Sequence, residues 1–352
     1  MKPAGQKASN AGNLALERDY FRALEQVFDR ACSTAGLSRR YFDIGSKLLC
    51  LEFAGPALES ILTRALSHLE VFPPSSPFPP DLTIAIWDSE STSTSMPAPL
   101  YDHTSVATTE DFFLHYQLGA DTFHFFLPDS AKALYWVRSP SQIPWWETVS
   151  PLRIILNQWF EIDDRLILHA SAVATHHGGA LLAGAGGSGK STTALSCLAH
   201  GLQYGADDLL LVSNDERPKG FCLYSTAKLR RETYTFLPQL AAYETVWDNS
   251  EPDKAVFFLA ESFRESIARD FALNLILLPR IVDAERTTFV AASPLQALRA
   301  LAPSSIFLIP GSGERKFAQM SRFVRKIPAF HLLLGRDHDR IPGEISRMIG
   351  ES

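Results

Sequence analysis

Residues 184–192, Gly-Ala-Gly-Gly-Ser-Gly-Lys-Ser-Thr, are the most specific indication of fold in this chain. They match the phosphate-loop pattern (P-loop, or Walker A), in which a glycine and four further residues precede glycine, lysine and serine or threonine. The apolar residues 180–183 come directly before the loop and predict a strand, and the residues after the loop predict a helix. A strand, a glycine-rich loop and a helix in this order indicate a nucleotide-binding α/β domain.

The composition of this loop suits a polyphosphate for physical reasons. Glycines let successive backbone N–H groups turn toward an anion, and the N-terminus of the following helix adds unpaired N–H groups and partial positive charge. Lys190 is then placed to reach the outer phosphates, and the Ser191 hydroxyl to bind magnesium. The predicted cofactors are ATP and Mg²⁺, and the predicted nucleotide-binding residues are Gly184, Ala185, Gly186, Gly187, Ser188, Gly189, Lys190, Ser191 and Thr192.

A second acidic signal, Gly-Ala-Asp-Asp at 205–208, follows after only one predicted helix. That helix covers residues 191–200 and ends at Gly201, whose freedom at positive φ suits a helix C-terminus. A short return strand then brings Asp207 and Asp208 beside the loop. Carboxylates in that place bind a metal ion or accept a proton, and together with the loop they indicate phosphoryl transfer from a nucleotide.

Another acidic pair, Asp215 and Glu216, also follows an apolar run. Residues 213–220 are dense in turn-forming residues, so we interpret this segment as a hairpin tip and not as a metal-binding pair. The guanine-reading pattern Asn-Lys-x-Asp does not occur in the chain.

The block His-Ala-Ser-Ala-Val at 169–173, the loop at 184–192 and Ala-Asp-Asp at 206–208 together resemble the HPr serine kinase family. That family shares its nucleotide domain with phosphoenolpyruvate carboxykinase. The block is also similar to HPr-kinase-like enzymes that phosphorylate lasso-peptide precursors on a terminal serine. The match covers about residues 165–215, with a looser likeness to about residue 345.

The resemblance implies a role for each matching residue. His169 is expected near the catalytic aspartate, Asp207 to act as base toward the acceptor hydroxyl, and Asp208 to bind magnesium together with Ser191. The catalytic set is therefore Asp207, His169 and Lys190. Two departures bear on the substrate: the loop differs from the more usual family sequence, and the glycine-rich segment that helps engage HPr is not recognisable. Both put HPr itself in doubt as the acceptor.

A basic cluster and one further acid lie downstream of the aspartate pair. Lys228, Arg230 and Arg231 either bind a phosphate or an acidic substrate, or belong to a solvated helix start. Glu232 is a candidate third metal ligand. The sequences His-His at 176–177 and Asp-His-Asp at 337–339 lack partner ligands at metal-site spacing, so we interpret them as loop residues.

Composition describes an ordinary globular chain of 352 residues, with 46% hydrophobic residues and a net charge of −6. This charge gives no general electrostatic reason to bind nucleic acid or a membrane. The four cysteines are widely spaced, as in a reduced cytoplasmic protein, and neither an apolar leader nor a long apolar span is evident. The family resemblance also implies a homo-oligomer as one expected state.

The predicted fold class is α/β, with an N-terminal α+β domain followed by a phosphate-loop domain of the HPr kinase and phosphoenolpyruvate carboxykinase type. The predicted divisions are a flexible tail at 1–12, an N-terminal domain at 13–150 and an ATP-binding catalytic domain at 151–352. Within them we expect helices at 14–32, 58–69 and 316–324 and from Pro294 with Ser293 as its N-cap, a hairpin at 122–138, mainly helix over 235–275, and strands at 82–87, 275–278 and 331–334.

The favoured function is an ATP-dependent kinase for a hydroxyl, with a serine of a peptide or small protein as the expected acceptor. Two alternatives stay open at this point. One is a kinase for a small metabolite, and the other is a nucleotide-binding regulatory switch that hydrolyses ATP slowly. The adjacent aspartate pair favours transfer over the switch.

Overall fold

The computed structural model describes residues 13–73, 79–101, 106–117, 119–235, 237, 240, 243, 246–247, 253–307 and 313–351. The predicted tail at 1–12 lies outside these ranges. The chain divides into two compact units. The N-terminal unit consists of Met1–Tyr41, Leu48–Ile61 and Phe72–Pro144. The larger unit consists of Phe42–Lys47, Leu62–Val71 and Trp145–Ser352.

The N-terminal unit is built on a long helix and a sheet. Helix α1 (Asn13–Ala35) confirms the predicted first helix, and its apolar stripe, which includes Phe21 and Leu24, packs against Trp87 and Phe125 in one core. The strands of the sheet are β1 (Leu37–Ile44), β2 (Lys47–Ala54), β4 (Leu82–Asp88), β5 (Val106–Thr108), β6 (Phe113–Gln117), β7 (Thr122–Leu127) and β8 (Lys132–Val137), and the short strand β3 (Glu70–Val71) falls within the residues of the larger unit. The strands of the N-terminal unit follow the order β1-β2-β4-β8-β7-β6-β5 in their sheet.

The hairpin and the second helix predicted in this region are present, with bounds that differ from the predicted ones. Strands β7 and β8 pair antiparallel with Thr122 opposite Val137, so the expected hairpin is confirmed. The helix expected at 58–69 divides into helix α2 (Glu59–Thr63) and a 3-10 helix, Arg64–Leu69. A short helix α3 (Ser89–Thr92), capped by the Asp88 carboxylate, follows β4.

The larger unit is a mixed α/β layer structure. After α4 (Trp145–Val149) and α5 (Arg153–Ile162) it contains β9 (Leu166–Leu168), β10 (Ser171–Thr175), β11 (Gly178–Leu182), α6 (Lys190–Ala199), β12 (Gln203–Ala206), β13 (Leu210–Val212), β14 (Lys219–Phe221), β15 (Thr226–Arg230), β16 (Val246–Trp247), β17 (Lys254–Phe258), β18 (Asp270–Ile281), β19 (Thr288–Ala292), α7 (Pro294–Ile306), α8 (Gly313–Phe323), β20 (Ala329–Leu334) and α9 (Ile341–Glu351). None of the helices in the described residues is long and apolar enough to cross a lipid bilayer.

The main sheet of this unit has nine strands arranged around the long strand β18. Seven of them follow the order β12-β10-β11-β18-β14-β13-β9, while β20 pairs with β18 and β19 pairs with β20. Strand β18 runs parallel to β11 and to β20, and the other ladders are antiparallel. Helices cover both faces, because Ala180 and Leu182 pack on α6 and α9 while Leu181 packs on α7 and α8. Side chains that alternate along a strand produce this α/β/α layering.

The structure corrects one large prediction. Residues 235–275 are not mainly helical, because their described part contains strand β17 and the first half of β18. In β18 the buried residues Phe271, Leu273 and Leu275 recur at every second position, which is the strand period. The strand expected at 275–278 extends to Ile281 and passes through Pro279, while Ser293 caps α7 in a capping box with Gln296, as predicted.

The hairpin tip that the turn-forming residues at 213–220 predict is confirmed. Strands β13 and β14 pair antiparallel on either side of it, with Val212 opposite Gly220. Asp215 and Glu216 are exposed at this tip.

The side chain of Phe271 packs closely against β12, the strand that precedes the aspartate pair. A methyl group added at Gly179, Gly205 or Gly220 would lie 2.4, 2.8 or 2.6 Å from atoms of the Phe271 ring. These glycines belong to β11, β12 and β14, so one side chain is packed against three strands. Glycine is required there because a Cβ would occupy the space of the ring.

We therefore predict that Gly205→Ala lowers the free energy of unfolding by about 1–3 kcal/mol. The added methyl group would also meet the Cβ of Ala172 at 3.0 Å, so the ring has little room to retreat. Urea denaturation followed by circular dichroism measures the effect. Gly343→Ala is the matched control, because its methyl group meets no atom within 4 Å and lies in helix α9, where alanine is the better helix former. Equal losses in the two variants would contradict this explanation.

Candidate functional site

The phosphate-loop sequence forms the connection between β11 and α6, at the carboxyl end of a strand that pairs in parallel with β18. Gly187 and Gly189 have φ angles of 79° and 102°, in the left-handed region that favours glycine. A Cβ at Gly189 would also lie 2.8 Å from the Leu334 side chain. Helix α6 begins immediately afterwards, at Lys190, so its unpaired N–H groups lie at the loop. Crevices at the carboxyl ends of parallel strands are the usual ligand sites of such sheets.

Lys190 is held inside the loop. Its ammonium donates hydrogen bonds to the carbonyl oxygens of Gly184 at 2.7 Å and Ala185 at 3.1 Å. The side chain is largely buried, and this burial lowers the pKa of Lys190, while the nearby charges of Asp207 and Asp208 act in the opposite direction. The Lys190 ammonium therefore lies where a bound polyphosphate could replace its two carbonyl partners, and hydrogen bonds from an ammonium to phosphate oxygens are the stronger ones.

The loop contains the features that a phosphate group would need. The Ser188 hydroxyl is buried, and no residue that the structure describes supplies it with a hydrogen-bond partner. Methyl groups built at Gly186 and Gly187 meet no atom within 4 Å, so that part of the loop is open. Buried polar groups without partners are costly, so an available hydroxyl beside a helix N-terminus fits an anionic ligand. The residues present therefore fit a nucleotide polyphosphate.

Asp207 occupies the interior of the site at the end of β12. Only 3% of its surface is exposed. One carboxylate oxygen accepts hydrogen bonds from the hydroxyls of Ser171 at 2.7 Å and Ser191 at 2.8 Å, and the other accepts from the Lys228 backbone N–H at 3.0 Å. Burial, and then the neighbouring charge of Asp208, raise the pKa of Asp207. The Ser191 hydroxyl and this carboxylate form a pair of hard oxygen ligands of the kind that Mg²⁺ prefers.

Asp208 faces outward and has different partners. Its backbone lies in the left-handed region, with φ at 66°, and 37% of its side chain is exposed. One oxygen is 3.2 Å from Nε2 of His169, and the other is 2.9 Å from the Lys228 ammonium. Although burial opposes ionisation, the hydrogen bond with His169 and the charge of Lys228 lower the pKa of Asp208 below its usual range. Non-glycine residues in this backbone region occur preferentially at functional sites.

These contacts differ from the predicted division of roles. The sequence analysis pairs Ser191 with Asp208 as metal ligands and places His169 beside Asp207 as the base. In the structure, Ser191 contacts Asp207 and His169 contacts Asp208. The backbone at Asp208 lies in the left-handed region, so the two successive aspartates do not follow regular strand geometry. The pair itself lies beside the loop, where the sequence places it.

The other candidate metal ligands do not join the aspartate pair in one cluster. Within the part of the chain that the structure describes, no group of three or more His, Cys, Asp or Glu side chains is placed to hold a metal ion. Glu232 therefore does not complete a carboxylate set with Asp207 and Asp208, and it is exposed in the 3-10 helix after β15. His176 and His177 form the turn between β10 and β11.

The basic cluster is a strand and not a helix start. Lys228 and Arg230 belong to β15, and Arg231 begins the 3-10 helix that follows. The structure brings Lys228 to Asp208, while Arg230 and Arg231 are exposed at the end of the strand. Strand propensity was hard to recognise there, because Lys-Leu-Arg-Arg-Glu also suits a helix.

Sequence reasoning missed three residues around this site. Ser171 binds Asp207 from β10, and Ser305 of α7 accepts the backbone N–H of His169 at 2.9 Å. Lys254 on β17 is close enough for its charge to act on Lys190. Ser171 lies within residues 169–173, the block that carries the family resemblance, so the sequence could have indicated it as a site residue. Ser305 and Lys254 belong to distant segments in which no sequence motif marks them.

Comparisons of the sequence and of the fold with known proteins give only a distant similarity. No protein-family model and no curated protein matches the sequence. Among solved structures, the HPr(Ser) kinase/phosphatase from Coxiella burnetii is similar over 51% of this chain and 93% of its own, with 14% sequence identity and a TM-score of 0.29. These values are too low to transfer a function, so function rests on the residues of the site.

The hydrogen bond from Ser171 to Asp207 gives a prediction about stability. Ser171→Ala should lower the free energy of unfolding by about 1–2 kcal/mol, because the buried carboxylate loses one of its donors. Ser188→Ala is the matched control: it removes a buried hydroxyl that has no partner in the described structure, and we expect almost no loss. Urea denaturation of both variants checks the difference, and a larger loss at Ser188 than at Ser171 would contradict it.

Proposed function

We propose that this chain is an ATP- and Mg²⁺-dependent kinase that transfers the γ-phosphoryl group to a hydroxyl, with a serine of a peptide or small protein as the acceptor. One observation carries the proposal. The Lys190 ammonium, the Ser191 hydroxyl and the two carboxylates of Asp207 and Asp208 meet at the mouth of a glycine-rich loop. Phosphoryl transfer depends mainly on positioning and charge stabilisation, which these groups supply.

The loop and helix α6 bind the nucleotide in this proposal. Backbone N–H groups at the start of α6 and the Ser188 hydroxyl hold phosphate oxygens, and Lys190 exchanges its two carbonyl partners for the outer phosphates. The Ser191 hydroxyl and the Asp207 carboxylate hold the magnesium ion, which supplies positive charge against the phosphates. Burial of Asp207, of which only 3% is exposed, suits contact with a small ion better than contact with an acceptor substrate.

Asp208 acts on the acceptor in this proposal. Its side chain is the more exposed of the two, and His169 and Lys228 fix its orientation through one oxygen each. The carboxylate aligns the acceptor hydroxyl and takes its proton as the bond between the acceptor oxygen and the γ-phosphorus forms, while the bond from that phosphorus to the bridging oxygen breaks and ADP leaves. The lowered pKa of Asp208 makes this carboxylate a weak base, so its main contribution is to align the acceptor hydroxyl and to accept the proton late in the transfer.

A peptide acceptor is supported by two features of the sequence. The loop departs from that of true HPr kinases, and the segment that engages HPr is not recognisable, so a folded HPr surface is a poor candidate. The block formed by residues 169–173, 184–192 and 206–208 also resembles that of kinases that modify lasso-peptide precursors. Incubation with labelled ATP and serine peptides, HPr and free hydroxyl metabolites, followed by mass spectrometry, tests this directly. Turnover of a metabolite alone would replace the peptide with the small-molecule alternative, and ATP hydrolysis with no acceptor would favour the switch.

The first functional prediction concerns Lys190. Lys190→Ala should reduce phosphoryl transfer at least about a hundred-fold and weaken binding of ATP, because the outer phosphates lose their nearest cation. Transfer of labelled phosphate and calorimetric titration with an ATP analogue measure the two effects. Lys219→Ala, which removes an exposed lysine from β14, is the control and should behave as the unmodified protein. Unchanged turnover in Lys190→Ala would overturn the assignment of the loop.

The second functional prediction concerns the separate roles of Asp207 and Asp208. Asp207→Asn should raise the magnesium concentration needed for half-maximal activity, because the ion loses a charged ligand. Asp208→Asn should mainly lower kcat and leave the affinity for the ATP analogue nearly intact. Magnesium titrations and steady-state kinetics distinguish the two, with Asp215→Asn at the exposed hairpin tip as the control. The opposite pattern would restore the roles that the sequence suggests.

A further inference from the structure

Three aromatic residues form a row across one face of the sheet in the N-terminal unit. Tyr116 of β6 is opposite Phe123 of β7, and Phe123 is opposite Trp136 of β8. Opposite residues on paired strands share a face of the sheet, with Cβ atoms about 5 Å apart. Tyr20 of α1 packs against this row, and its ring centroid is 6.3 Å from that of Phe123. We call these four residues the aromatic cluster.

A cavity of about 370 Å³ lies against the aromatic cluster. A second wall of the cavity is the segment 94–99, Thr-Ser-Met-Pro-Ala-Pro, which we call the strap. The Met96 side chain packs against the core that α1 and the sheet form, and Tyr101, just beyond the strap, donates a hydrogen bond to Glu17 of α1. The two prolines of the strap have fixed φ angles, which lowers the conformational entropy that a ligand would have to remove.

A buried carboxylate lies next to the aromatic cluster. Glu17 is fully buried and comes one helical turn before Tyr20, on the same side of α1. One of its oxygens accepts the Tyr101 hydroxyl, and no residue that the structure describes supplies the other oxygen with a partner. A buried carboxylate that lacks a partner is destabilising, and a positive charge close by compensates for this.

The positive charge that lines the cavity has a partner of its own. The Arg138 guanidinium donates a hydrogen bond to one oxygen of Asp121 at 2.6 Å. The Tyr116 hydroxyl donates to the other oxygen of Asp121 at 2.8 Å. The strap contains no charged residue. Because the pair of Arg138 and Asp121 is neutral as a whole, the Glu17 carboxylate makes the surroundings of the cavity attractive to a cation.

We propose that this cavity binds an organic cation, an ammonium or guanidinium group, whose charge lies over the rings of the aromatic cluster and is attracted by Glu17. The negative faces of aromatic rings attract cations within about 6 Å of the ring centroid, and tryptophan does so most strongly. The apolar surfaces of the four rings and of the strap favour a cation that carries carbon groups over a hydrated metal ion.

A free quaternary ammonium compound and the basic side chain of a peptide offer this same chemistry. The residues that form the cavity and its surroundings all belong to the N-terminal unit. The inference therefore goes beyond the proposed function and does not depend on phosphoryl transfer.

Calorimetric titration of the full chain, without nucleotide, tests the inference. The probes are choline, an uncharged choline analogue in which carbon replaces the ammonium nitrogen, and blocked tripeptides centred on lysine, arginine or norleucine. We expect the charged probe of at least one set to bind about ten-fold or more tightly than the neutral probe of that set. A preference among the peptides identifies a basic side chain as the source of the cation, whereas a preference for choline alone identifies a small free cation.

Two pairs of variants test the residues themselves. Glu17→Gln keeps an acceptor for Tyr101 but removes the charge, so the preference for the charged probe should disappear, while Asp29→Asn at an exposed position of α1 should keep it. Tyr116→Leu removes one aromatic ring and should reduce the preference about five-fold. Tyr116→Phe keeps the ring and should keep the preference, which controls for the lost hydrogen bond to Asp121.

The comparison of charged and neutral probes uses the unmodified protein and so stands even where a variant does not fold, which circular dichroism checks. Equal binding of charged and neutral probes, no binding of any probe, or an undiminished preference in folded Glu17→Gln or Tyr116→Leu would overturn the inference. Loss of the preference in Asp29→Asn would show that net charge alone attracts the cation and would also overturn it. Failure of the proposed function shows separately, as unchanged turnover in Lys190→Ala.

Discussion

The buried carboxylate of Asp207 connects the elements from which the site is built. Its three hydrogen bonds reach Ser171 on β10, Ser191 on α6 and the backbone of Lys228 on β15. A buried charge is tolerated only when it is hydrogen-bonded on all sides, so these elements must keep their positions as long as Asp207 is ionised. The contacts that hold the loop helix against the sheet are therefore the same contacts that position the Asp207 carboxylate, which is the metal ligand in the proposed function.

Charge distribution explains why the two aspartates differ although they are neighbours in sequence. Asp207 is surrounded by neutral donors, and its pKa is raised, whereas the pKa of Asp208 is lowered by His169 and Lys228 despite burial. The left-handed backbone at Asp208 makes the separation possible. Two carboxylates placed in different environments can serve one chemical reaction in two roles, one toward the metal and one toward the acceptor.

Much of the larger unit could be predicted from local signals. The spacing of glycines, Lys190 and Ser191 predicts the loop, because few sequences satisfy the backbone and charge requirements of that turn. The N-cap at Ser293 and the hairpin tip near Asp215 follow from side chains that bond their own backbone or favour turns. The long strand β18 was only partly predicted: its continuously apolar half at 275–278 was predicted as a strand, whereas the alternation of Phe271, Leu273 and Leu275 covers too few residues to be distinguished from the helix predicted before it.

By itself, the sequence determined that a glycine-rich loop precedes a helix and that two aspartates lie near it, because these are properties of short segments. Only the tertiary structure decided which aspartate meets Ser191, that Lys228 joins the pair, and that Lys254 from β17 lies beside Arg230. Those contacts join residues far apart in the chain, and they depend on the order and register of the strands. Local composition carries no information about that order, because it results from packing the whole core.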